Sequence, residues 1–194
     1  MTKDDRHSKA LEEPKSSSRT PLQTHDLILF IAQNAIVAAI YFALTAFTQP
    51  ISFGPLQVRF AEALGLLCFW RPDFAIGMTL GCFLANFFSP TPWDLLFGTM
   101  ATLISCLLMS YASHWLWMAV LWPCLVNGFV VGAEITWLMM SPAGSMEVFW
   151  TNTASVAVGE LIALACGYLL WTLLDHMPFF AKVFHPLRHQ ERKW

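Results

Sequence analysis

Charge is scarce in this sequence. Charged residues make up 12% of its 194 positions, about half the share found in soluble domains. A chain with so little charge cannot cover a folded surface in water, which excludes an ordinary soluble protein. The 11 Lys and Arg residues form no basic stripe, and the net charge is -2, so nothing points to nucleic acid. Cysteine pairing is also missing. Cys68, Cys82, Cys106, Cys124 and Cys166 stand singly in apolar runs, with no C-x-x-C and no His at metal-ligand spacing. They read as small packing residues, and no metal or redox cofactor is expected. The chain has no G-x-x-x-x-G-K-[ST], no H-E-x-x-H and no G-x-S-x-G. It therefore carries no P-loop for ATP and no recognisable hydrolase centre, and nothing supports an enzyme or a bound cofactor.

What the chain has instead is oil. Hydrophobic residues are 56% of the sequence, and mean hydropathy is +0.53. Residues 1–26 mix five basic and five acidic side chains with Ser16-Ser17-Ser18. Such a segment buries no core and reads as a disordered tail. It is too long and too acidic for the n-region of a cleaved signal. Six apolar stretches follow, at 27–48, 57–70, 73–88, 94–113, 115–140 and 150–174, with turns at Pro90, Pro92 and residues 142–144. About 20 helical residues cross the hydrocarbon core. The second stretch, polar at its start, reaches only about 21 Å at helical rise. It is either a short span or a helix dipping in beside its neighbours.

Basic residues set the orientation. With six spans, the Lys and Arg of the tail, Arg71, and Lys182, Arg188, Arg192 and Lys193 share one side, and Arg59 alone lies on the other. Five spans would spoil that asymmetry. The expected fold is an all-α integral membrane bundle of six transmembrane helices with both termini cytoplasmic. A membrane domain at 27–174 would lie between cytoplasmic tails at 1–26 and 175–194.

Ionised groups inside hydrocarbon cost roughly 2.5–3.5 kcal/mol on insertion scales and normally face protein or a wet cavity. Arg59 and Glu62 are the one place where opposite charges sit within the oily region. They are either a local i, i+3 ion pair or part of a pocket. Gln57, Asn86, Trp93 and Asp94 fall near the outer ends of their stretches. Glu134 lies toward the outer end of the fifth, seven residues beyond Asn127 and on the same helix face. Glu160 sits midway along the sixth, with Thr153 two turns outward. This distribution predicts a pocket open to the outside. The bland alternatives are interhelical hydrogen bonds for Asn86 and Asn127, a helix-start residue for Asp94, and an interfacial belt for the tryptophans.

Small residues form the other pattern. Ala35, Ala39 and Ala43 recur every fourth residue, and Gly77–Gly81 and Gly128–Gly132 share that spacing. Each allows close helix approach, either within the bundle or against another membrane subunit.

The run Phe53-Gly54-Pro55-Leu56-Gln57-Val58-Arg59-Phe60-Ala61-Glu62-Ala63-Leu64 closely resembles the signature of the QueT family. So do Gly81-Cys82-Phe83-Leu84-Ala85-Asn86, Asp94-Leu95-Leu96-Phe97-Gly98-Thr99-Met100-Ala101-Thr102 and Gly159-Glu160. Ala61 replaces a Ser common before the motif Glu. The resemblance covers roughly residues 27–174. It implies a substrate-binding (S) component of an energy-coupling-factor (ECF) uptake system for a queuosine precursor, a 7-deazaguanine base or queuine. It also implies a closing loop at 49–57, a docking face at Ala35, Ala39 and Ala43 for the transmembrane coupling subunit, and two separate ATPase subunits. Under that reading Glu160 and Glu62 accept from the base edge, and Asn86, Asn127 and Gln57 serve its carbonyl. Trp93 stacks, and Glu134 or Asp94 pairs with a cationic substituent. The rivals are another flat heterocyclic vitamin as cargo, or a non-transporting accessory membrane protein.

Overall fold

The computed structural model describes residues 21–54, 56–139 and 145–175, which hold helices and no β-strand. The first 20 residues, the turn at 142–144 and the C-terminal tail beyond 175 lie outside the described residues. Helix α1 (Pro21–Phe47) is followed by a single turn, α2 (Gln49–Ser52). A 3-10 segment, Phe60–Leu66, runs into α3 (Leu67–Trp70). Then come α4 (Phe74–Ala85) and a 3-10 extension, Asn86–Phe88. The 3-10 turn Pro92–Leu95 leads into α5 (Phe97–Tyr111), and α6 (Leu116–Glu134) continues as a π-helical segment, Ile135–Met139. Helix α7 (Met146–Asp175) ends the described chain.

All six apolar stretches are helical, but they differ in reach. Thr24–Phe47, Pro92–Tyr111, Leu116–Met139 and Met146–Leu174 are long and apolar enough to cross a membrane. Phe60–Trp70 and Phe74–Phe88 are shorter. The mixed 3-10 and α winding of Phe60–Trp70 spans only about 20 Å. No residue of that segment is exposed. It is an inner element enclosed by its neighbours, which is how a helix with a polar start avoids lipid. Helix α1 starts at Pro21, before the apolar run, because a proline suits a first helical turn and its exposed Thr24, His25 and Asp26 need no burial.

Away from the helix ends the outer faces are rich in apolar side chains: Ile28, Ile36, Ile76, Phe87, Leu125 and Leu169 are all exposed. Trp93, Tyr111, Trp115, Trp117 and Trp150 are exposed near helix ends, as an interfacial belt requires. Glycines set the inner contacts. The amide of Gly77 donates to Asn34 Oδ1 at 2.8 Å, and Gly81 faces Ala38 and Tyr41, seating α4 on α1. Gly128 and Gly132 seat α6 on α7 at Ala157 and Thr153. Both glycine pairs thus serve packing within the bundle. Ala35, Ala39 and Ala43 do not; all three are exposed on the side of α1 away from α4.

At one end of the bundle Arg71 grips Asp73 through two N–H groups and lies over the Phe74 ring at 4.4 Å. Trp171 Nε1 donates to the Ala63 carbonyl at 2.8 Å, tying α7 to the inner segment.

Candidate functional site

The inner segment places the charges. Seven consecutive residues in 3-10 form is a long run for that helix type. Arg59 caps this helix in a non-helical conformation, and its carbonyl accepts from the Glu62 amide at 2.9 Å. Both are buried. They do not pair with each other. Arg59 Nη2 donates to Asp94 Oδ2 at 2.7 Å, and the guanidinium lies 5.2 Å over the Phe53 ring. The local i, i+3 ion pair is therefore replaced by one that joins the loop before the inner segment to the turn before α5.

Asp94 is fixed from behind. Asn86 Nδ2 donates to its backbone carbonyl at 2.8 Å and lies 3.3 Å from Thr99 Oγ1. A Cβ at Gly98 would overlap Asp94 Oδ1, so only glycine leaves room for that carboxylate. Asn86 is thereby committed to holding the turn.

Glu62 Oε1 accepts from Tyr41 Oη at 2.6 Å and from Thr102 Oγ1 at 3.0 Å. Thr102 is itself 3.3 Å from Cys82 Sγ. Glu160 Oε1 accepts from Asn127 Nδ2 at 2.8 Å, joining α7 to α6. One residue before Glu160, a Cβ at Gly159 would collide with the Leu56 carbonyl oxygen. The loop ahead of Arg59 thus lies directly on α7 beside Glu160, and Gln57 in that loop has a φ of 44°. Glu134, at the end of α6, is only 3% exposed.

These groups share one electrostatic neighbourhood. Arg59 interacts with Asp94, Tyr41 and Glu160; Glu134 with Asp94 and Arg59; Glu160 with Glu62. Among the described residues these four buried carboxyls thus have one guanidinium between them, because Arg71 is engaged with Asp73. Among the described residues no three His, Cys, Asp or Glu side chains gather as metal ligands would. Several acceptors also lack any hydrogen-bond partner among the described residues: Glu62 Oε2, Asp94 Oδ1, Asn127 Oδ1, Glu160 Oε2 and both oxygens of Glu134. A buried polar atom left so costs about 1–3 kcal/mol. Acceptors spread over several helices suit an extended organic donor better than a point-like ion.

Six of the sequence-predicted residues, Glu62, Asp94, Asn127, Glu134, Glu160 and Arg59, are thus brought together. Asn86 sits behind them. Gln57 is half-buried in the loop, and Trp93, 48% exposed, packs against Phe97 away from the polar group. Sequence reading missed Tyr41 and Thr102 as partners of Glu62. A signal for Tyr41 existed: Asn34, Tyr41 and Thr45 share one face of α1, all three are buried, and the alanine stripe lies on the other side.

No solved structure matches this chain. A curated protein, the queuosine precursor transporter QueT of Lactococcus lactis subsp. cremoris (strain MG1363), is 37% identical over 84 residues. That alignment takes in 42% of this chain and 47% of the Lactococcus protein, so the match spans about half the length of that relative. The model of the QueT transporter family matches residues 31–176, most of the chain and every buried polar residue described above, and the chain belongs to that family.

Proposed function

We propose that this chain is the substrate-binding component of an ECF-type uptake transporter, and that it captures a queuosine precursor, a 7-deazaguanine base. It would be a multi-pass protein of the cell membrane. The four long helices, with Phe60–Trp70 and Phe74–Phe88, would make six spans, both termini being cytoplasmic. That topology keeps Arg59 as the sole basic residue of the outer side.

The observation that carries the cargo is the set of buried acceptors without donors on Glu62, Asp94, Asn127, Glu134 and Glu160. A 7-deazaguanine is rich in donors: the ring N1–H, the exocyclic amino group and the pyrrole N–H all donate. Carbon in place of N7 removes one acceptor that guanine has. Glu62 and Glu160 each keep one oxygen free for such a base, and hydrogen bonds to charged groups contribute about 1.5–3 kcal/mol each. Arg59 spends Nη2 on Asp94 and has further N–H groups for the base carbonyl. Ala35, Ala39 and Ala43, exposed on α1, support a docking face for the coupling subunit, with two ATPase subunits supplying energy this chain cannot.

Titration of the purified protein with 7-cyano- and 7-aminomethyl-7-deazaguanine tests the reading. Saturable binding is expected, weakened about tenfold or more, or about 1.4 kcal/mol, by Glu160→Ala and by Glu62→Ala. Unchanged affinity in both variants would remove the site. Preferential binding of thiamine, riboflavin or folate would assign another vitamin. Retention of no solute, with no uptake on co-expression with the ATPase module, would leave an accessory protein.

A further inference from the structure

Helix α7 meets the inner segment along one face. Gly159, Ala163, Gly167 and Trp171 recur every fourth residue and so share that face. A Cβ at Gly159 would collide with the Leu56 carbonyl oxygen, and one at Gly167 would stand 2.7 Å from Ala63 Cβ. The two glycines bring the elements together. Trp171, one turn beyond Gly167, is buried and closes the seam by donating its indole N–H to the Ala63 carbonyl. Ala63 directly follows Glu62, whereas Trp171 lies about three turns beyond Glu160 along α7. The tryptophan is thus remote from most of the buried polar group, yet it is bonded to the chain neighbour of one member.

That bond falls where the winding changes. Phe60–Leu66 is 3-10 and Leu67–Trp70 is α. In an α-helix the Leu67 amide would donate to Ala63, four residues back. Here it is directed to the carbonyls of Leu64 and Gly65, and the Ala63 carbonyl receives the indole. A 3-10 run of seven residues does not hold itself, because its hydrogen bonds are poorly aligned and runs beyond three or four residues are uncommon. A group outside the segment must hold it, and at this junction that group is Trp171. We infer that Trp171 is a positioning residue: it keeps the inner segment in its 3-10 form and so sets Glu62 against Tyr41 and Thr102, with one carboxylate oxygen left over. Helix α7 then has a task besides carrying Glu160, for it also governs the carboxylate of the inner segment. The consequence for binding rests on the preceding reading that Glu62 contacts a 7-deazaguanine.

Trp171→Phe keeps a ring and removes the donor. It is expected to weaken binding of 7-aminomethyl-7-deazaguanine about five- to tenfold. In a Glu62→Gln background the same change is expected to weaken binding less than about twofold, because the group through which Trp171 acts is already altered. A purely structural role would weaken both backgrounds alike. A second measurement needs no ligand. Tyr41→Phe should lower the unfolding midpoint in detergent, and by less than about half as much when Trp171 is already Phe. Benzothienylalanine at position 171 puts sulfur in place of the N–H in a ring of the same shape. It should repeat both results, so poor folding of Trp171→Phe does not protect the idea. Wild-type affinity and midpoint in Trp171→Phe would overturn the inference. Equal losses of affinity in both backgrounds, with additive midpoints, would overturn it too. Failure of the wild type to bind any 7-deazaguanine would defeat the cargo reading alone, and the unfolding cycle would still decide the role of Trp171.

Discussion

Tyr41 on α1 donates its hydroxyl to Glu62 Oε1 at 2.6 Å, joining positions 21 residues apart in the centre of the bundle. Both side chains are almost wholly buried. Tyr41→Phe removes one of the two donors on that oxygen and is expected to destabilise the protein by about 1–3 kcal/mol. Because Tyr41 and Glu62 act on each other, Tyr41→Phe in a Glu62→Gln background should cost much less than in the wild type. Thermal unfolding of the four proteins in one detergent measures the cycle. Additive effects would mean that the contact contributes little.

Arg59 and Asp94 form the ion pair on which the loop and the α5 turn depend. Removing one partner leaves the other charge buried, a loss of about 3–5 kcal/mol. Asp94→Ala and Arg59→Met should each fall in that range, and the double variant should recover part of it. Gly98→Ala, whose new Cβ would press on the Asp94 carboxylate, should mimic Asp94→Ala without touching a charge. Unfolding midpoints like the wild type's for all of these would show the pair to be dispensable.

Gly159 lets the Leu56 carbonyl lie against α7. Gly159→Val should lift that loop while leaving the packing of α1 on α4 intact. Limited proteolysis is expected to cut near residues 53–58 more readily, and base affinity to fall about tenfold. A protease pattern identical to the wild type's would show that the loop is not seated by this contact.

On the opposite side of α1, Ala39 touches solvent or lipid rather than its own bundle. Ala39→Trp should therefore leave stability and base binding within error. Under the ECF reading it should reduce co-purification with the coupling subunit and abolish uptake. Full uptake activity would exclude this stripe as the docking face.

Much of the helical layout was legible because hydrocarbon demands long apolar runs, and all six stretches are helical. The boundaries moved where the chain leaves the oil: α1 extends back to Pro21, and the sixth stretch begins at Met146 rather than at Trp150. Polarity at depth pointed to Glu62, Asp94, Asn127, Glu134 and Glu160, since such groups are too costly to leave facing lipid. Pairings were not legible. Arg59 and Asp94 are 35 residues apart, and nothing local favours Asp94 over the adjacent Glu62. The 3-10 winding of Phe60–Leu66 was hidden as well, because an enclosed segment has no solvent-facing side and shows no polar–apolar period to read. Trp93 could be a stacking ring or a belt residue from sequence; its exposure favours the belt.

The winding of that enclosed segment has a geometric corollary. A 3-10 helix advances about 120° per residue and an α-helix about 100°, with rises of about 2.0 and 1.5 Å. Were the seven residues from Phe60 to Leu66 to rewind as α-helix, the segment would shorten by about 3.5 Å and turn through about 140°. Glu62, early in the segment, would turn about 60° relative to the chain at Arg59 even if no rotamer changed. Its bearing on Tyr41 and Thr102 is thus a property of backbone pitch, and a screw motion of one short rod is enough to make or dissolve those contacts.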